Sequence, residues 1–142
     1  MLELALALML QAPEDWLERI YVAPPEIGAR VLMDHLAADR KKRAEQLEEA
    51  FRLAGQAKMP YPVMAQAPGD SLAGKLMEAR LGRLDGLSLQ VHAIQSMMPV
   101  NPARSREMAL GMRVPSPPPA TCESLAVAVL DQYYGLALDV AR

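Results

Sequence analysis

An all-α fold is predicted for this 142-residue chain by three observations. Ala and Leu supply 44 residues while Val, Ile and Thr together supply 13, a balance that favours helices over strands. Apolar residues recur at alternating three- and four-residue spacing, the period of a helix with one buried face. The 12 prolines fall in clusters between these periodic stretches, where they mark corners. One domain is expected over residues 1–142, and a compact chain of this size buries roughly 65–70% of its unfolded surface. With 23% charged and 51% hydrophobic residues the composition is that of a globular protein.

Seven to eight helices joined by Pro-rich corners are expected, as an irregular bundle or a short helical solenoid. Residues 2–11 are apolar but include Glu3 and lack a basic start, which reads as a buried helix rather than a signal peptide. The alternative of a mature start left after an export signal stays open. The run of about ten residues is too short to span a bilayer. Helices over 14–21 and 25–38 begin at Pro13-Glu14-Asp15 and Pro25-Glu26, where proline wastes no donor and the acids suit the positive end of the dipole. A helix over 39–57 carries a stripe of Ala44, Leu47, Phe51 and Ala54, with Lys41, Lys42, Arg43, Glu45, Glu48, Glu49 and Arg52 covering the rest.

Residues 59–69 hold three prolines without periodicity and are expected to form an exposed loop. Helices over 71–84 and 85–98 share the stripe Leu84, Leu87, Val91, Ile94 and Met98, which runs across Asp85-Gly86, so the alternatives are two helices or one long kinked rod, with Gly82 and Gly86 the places where it would bend or break. Asn101-Pro102 caps a helix over 102–112. The last helix, over 122–140, is apolar on nearly all sides through Leu125, Val129, Leu130, Tyr133, Leu136, Leu138 and Val140. It should be the most buried, and Val129→Asp should unfold or dissociate the protein.

The stock for catalysis is small: two histidines, one cysteine, six serines and one threonine. His92 lies opposite the apolar stripe of its helix and reads as solvent-facing. His35 falls inside the apolar arc of its helix, flanked by Gly28, Val31 and Leu32, and is expected to be buried or at a helix contact as a neutral, hydrogen-bonded group. His35 and Asp39 stand four apart on one face, yet a metal site needs three or four ligands, so no metal is expected. Cys122 sits in a predicted first helical turn with no histidine placed beside it. Being single, it forms no internal disulfide, which leaves the compartment open. Arg40-Lys41-Lys42-Arg43 is followed by Glu45, Glu48 and Glu49, and the net charge is −2, so nucleic acid is not an expected partner. The chain lacks a Gly-rich phosphate loop, and no cofactor is expected. A thiol or histidine enzyme built on Cys122 or His35 is the weakest of three functional readings.

The ten methionines are the compositional feature left over. Met59, Met97, Met98, Met108 and Met112 fall near predicted helix ends, where methionine fills irregular gaps or lines an adaptable apolar surface. Tyr133-Tyr134 places at least one phenol where it needs a hydrogen bond or water. Tyr133, Tyr134, Met97, Met98, Met112 and His35 are therefore the candidate interface or pocket residues.

Arg19-Ile20-Tyr21-Val22-Ala23-Pro24-Pro25 is echoed by Gly111-Met112-Arg113-Val114-Pro115-Ser116-Pro117-Pro118, each joining a short helix to a longer one. With its Leu-Ala richness and proline corners the chain resembles α-helical repeat proteins of the HEAT and tetratricopeptide class, although Trp16-Leu17-Glu18 departs from the tetratricopeptide signature and the 34-residue period is absent. Leu84-Asp85-Gly86-Leu87-Ser88-Leu89-Gln90 resembles uncharacterised bacterial helical proteins. Neither resemblance carries a functional residue. The expectation is a non-enzymatic protein–protein interaction or scaffold module, with a protein partner or self-association through the last helix. The alternative is a carrier or sensor of an apolar small molecule held between helices, and neither needs a membrane span.

Overall fold

The computed structural model describes residues 20–65, 83–113, 116 and 126–141. Among them are five helices and one short antiparallel ladder, an all-α architecture. The count is five rather than seven or eight; the expected helices over 2–11, 14–21 and 71–84 lie outside the described residues, apart from the buried helical Ile20 and from Tyr21, Arg83 and Leu84, which are not helical.

Helix α1 (Pro25–Asp34) starts at its proline and buries Gly28, Ala29, Leu32 and Met33. It stops four residues before the periodicity does, because side chains of the next helix take the backbone groups that would have continued it. Ala37 N donates to Gln46 Oε1 at 2.7 Å and Arg43 Nε donates to Ala37 O at 2.8 Å. Helix α2 (Arg40–Ala54) is capped by Asp39, whose Oδ1 accepts from Lys42 N at 2.9 Å. It buries Leu47, Ala50, Leu53 and Ala54, while Ala44 and Phe51 of the expected stripe are half-buried. Arg40 Nε reaches across to Val100 O at 2.7 Å and ties the start of α2 to a later corner.

The next segment corrects two expectations. Val63–Ala65 is strand β1, inside the stretch expected as loop, and it pairs with β2 (Ala126–Ala128), inside the stretch expected as the last helix. Val63 faces Ala128, and Val129 N extends the ladder by donating to Pro62 O at 2.8 Å. Pairing β1 with β2 satisfies backbone groups that a helix begun at 122 would have satisfied internally.

Helix α3 (Gly86–Met97) is the centre of the molecule. It contains no charged residue, buries eight of its twelve residues, and touches each of the other four helices. This, and not the last helix, is the most buried of the described elements. Asp85 caps it by accepting from Ser88 N at 2.8 Å, while Gly86 N and Leu87 N donate to Met59 O and Pro60 O at 2.7 and 2.9 Å. Of the two alternatives at Asp85-Gly86 the continuous rod is not formed, and the break lies just before Gly86: Arg83 has φ 47°, Leu84 is not helical, and Asp85 is extended with ψ 154°. The chain therefore turns sharply into α3.

Helix α4 (Pro102–Gly111) has the cap read from the sequence, with Asn101 Oδ1 accepting from Arg104 N at 3.1 Å and Pro102 in the first turn. Its buried Ser105 donates to Ile94 O of α3 at 3.2 Å, so this polar group enters the core satisfied. Helix α5 (Asp131–Ala141) packs on α3 and α4 and buries one residue, Leu136. Among the described residues no helix is long and apolar enough to cross a membrane.

Candidate functional site

The exposed side of α5 follows from its sequence. At ~100° per residue, Leu136, Val140, Tyr133, Ala137, Ala141, Tyr134 and Leu138 sweep an apolar arc of ~200°. Only the part nearest Leu136 is packed. Tyr134 and Leu138 are 60% and 62% exposed, and Ala137 and Ala141 are exposed beside them. On α4, Leu110 points away from the buried Ser105 and Met108 and is 79% exposed.

Between these two helices runs a groove of about 400 Å³. Buried Met112 and Leu136 lie at its base, Ala109, Leu110, Tyr133 and Val140 form walls, and Arg106 contributes the charge. The structure thus brings together two of the expected pocket residues, Met112 and Tyr133. Tyr134 stands just outside, its ring edge-on to Tyr133 with centroids 5.4 Å apart. Met97 is fully buried core and Met98 is half-buried against that core, so both serve packing.

His35 is placed differently from the expectation. It lies exposed at the C-cap of α1, its Nδ1 3.0 Å from Val31 O, because α1 ends before the turn that would have carried the ring into the apolar face. Helix α1 does not contact α4 or α5, so His35 has no part in the groove. Arg106, Leu110 and Ala137 were missed by the sequence reading. Leu110, lying off the periodic face of its own helix, was the available signal.

A second cleft, of about 510 Å³, lies between α2 and α4 and is ionic. Arg104 bridges Glu48 at 2.8 Å and Glu107 at 2.7 Å, which holds its guanidinium charged well beyond the usual range. Arg52 clasps Glu49 at 2.6 and 2.8 Å. That hydrogen bond lowers the Glu49 carboxyl below its ordinary range against the opposing effect of burial, and burial beside the Glu49 charge raises the Tyr21 phenol. Because the folded-state value of Glu49 is depressed, its contribution is present above the unfolded carboxylate value of about 4.3 and is lost as pH falls through the folded value. Arg52 is half exposed, so the effect is under about 1 kcal/mol. Acid melting followed by circular dichroism should show Glu49→Gln costing stability at pH 7 and nothing once the wild-type carboxylate is protonated. An equal cost at both pH values would mean that the charge is not involved.

These carboxylates are consumed by ion pairs, and among the described residues no group of three or more His, Cys, Asp or Glu stands close enough to hold a metal. His92 is exposed, while Cys122 lies outside the described residues. No family model, curated protein or solved structure matches the chain.

Proposed function

We propose that this chain is a non-enzymatic helical protein–protein interaction module whose working surface is the outer face of α4 and α5. The observation that carries the reading is the width of the apolar arc on α5, of which the domain's own core uses only one edge. Covering Leu110 and Leu138 is worth about 1.5–3 kcal/mol each, enough for an anchored contact. The occupant that fits is an apolar helix, and a second copy of α5 is the simplest one. Its described residues carry acids, Asp131 and Asp139, and no base, which suits a groove whose described lining carries one charge, Arg106. Packing around a single central helix favours an irregular bundle over a stacked solenoid.

Leu138→Asp tests this directly. The side chain is exposed, so the variant should melt within a few degrees of wild type while the oligomer seen by native mass spectrometry and sedimentation is lost. A wild-type chain that stays monomeric at high micromolar concentration would count against self-association through this face.

A second reading, a carrier of an apolar small molecule, is favoured by the groove itself. Its base of Met112 and Leu136 gives an adaptable apolar lining, Tyr133 and Arg106 add polar handles, and its volume lies in the small-molecule range of ~300–1,000 Å³.

A further inference from the structure

We propose that the groove between α4 and α5 binds a single-chain amphiphile with an anionic head group, and that Arg106 holds the head. This assignment rests on the carrier reading and names its ligand class. The first support is the lining, whose described residues include one base and no acidic side chain, so they offer attraction to a negative head and none to a positive one.

The second is the state of that base. On the five helices Arg30, Arg52 and Arg104 are bound to carboxylates, and Arg40 and Arg43 donate to backbone carbonyls. Arg106 alone of the helical arginines has no such partner among the described residues. A guanidinium is suited to a carboxylate because its fork presents two parallel donors.

The third is shape. The α5 wall from Tyr133 to Ala141 is ~12 Å long at 1.5 Å per residue, and Ala109, Ala137 and Ala141 leave its length open where larger side chains would divide it. A flexible chain of about decanoate length matches such a slot, with its methylenes against Met112, Leu136 and Val140 and its carboxylate at Arg106.

Displacement of a neutral naphthylamine fluorophore from the full chain tests the assignment, using decanoate, decanol and decyltrimethylammonium below micelle-forming concentrations. Decanoate should displace the probe at about ten-fold lower concentration than decyltrimethylammonium, the return of one charge-assisted contact. Arg106→Gln should erase that difference and leave decanol unchanged, while Ala137→Trp should block all three, with circular dichroism melts showing both variants folded. The absence of a saturable probe site in wild type and Leu138→Asp alike overturns both the carrier reading and the ligand assignment. A saturable site indifferent to head-group charge, or a charge preference that survives Arg106→Gln, overturns the anionic assignment alone. Probe binding seen only in the monomeric Leu138→Asp variant would show the groove occupied by a second copy and would also overturn it.

Discussion

Ile94→Asp should leave no cooperative thermal transition. Ile94 is fully buried in α3, a helix without a charged residue that each of the other described helices packs against, and its carbonyl receives the Ser105 hydroxyl. A carboxylate there must either stay ionised without a partner or take up a proton, and either choice costs several kcal/mol. The lost packing of the isoleucine adds about 2–5 kcal/mol more. Together these approach or exceed a net stability of about 5–15 kcal/mol for a domain. Ile94→Val, which removes one methylene, should cost about 0.5–1.5 kcal/mol and melt cooperatively, separating the charge effect from the volume effect. Val129→Asp, expected from the sequence to be disruptive, should instead remain folded, because Val129 is half-buried beside a short ladder and its backbone, not its side chain, makes the bond to Pro62. Urea and thermal melts of the three variants decide the ranking; a cooperative transition in Ile94→Asp near the wild-type temperature would place α3 at the surface.

That contrast shows which parts of the structure were legible. Caps are local chemistry, a side-chain oxygen meeting a backbone N–H three residues on, and Asp39, Asp85 and Asn101 all act from positions the sequence marks as helix starts. The end of α1 was not legible, since it depends on Gln46 and Arg43 arriving from the next helix to claim the backbone at Ala37. The ladder was hidden for a similar reason: the stretch Ala126-Val127-Ala128 is ambiguous by periodicity, and its partner at Val63–Ala65 stands some sixty residues away. Burial was misjudged on α5 because an apolar sequence records what a helix can bury, not how much of it the rest of the chain covers. The candidate groove inherits that error and benefits from it. Met112 and Tyr133 were found as gap-filling and amphipathic residues, whereas Arg106, Ala109 and Ala137 become site residues only once α4 and α5 lie side by side.

Gly86→Ala should destabilise the protein even though alanine is the better helix former by about 1 kcal/mol. A β-carbon on Gly86 would stand 2.8 Å from Ala54 O, with Pro60 O at 3.4 Å and Met59 O at 3.5 Å. All three are backbone oxygens, so no side-chain rotation can make room and the first turn of α3 must move as a unit. That movement pulls Gly86 N and Leu87 N from Met59 O and Pro60 O, and draws the buried Asp85 cap with them. Overpacking of this kind costs about 1–3 kcal/mol, which outweighs the gain in propensity. Gly135→Ala supplies the opposite case, because among the described residues nothing lies within 4 Å of a β-carbon at that position in the exposed stretch of α5. There the propensity term acts alone, and stability should rise by up to about 1 kcal/mol. The two substitutions should therefore move the urea midpoint in opposite directions with little change in slope. If both raise it, the end of α2 and the start of α3 do not meet as described, and the central place of α3 in the fold would have to be abandoned.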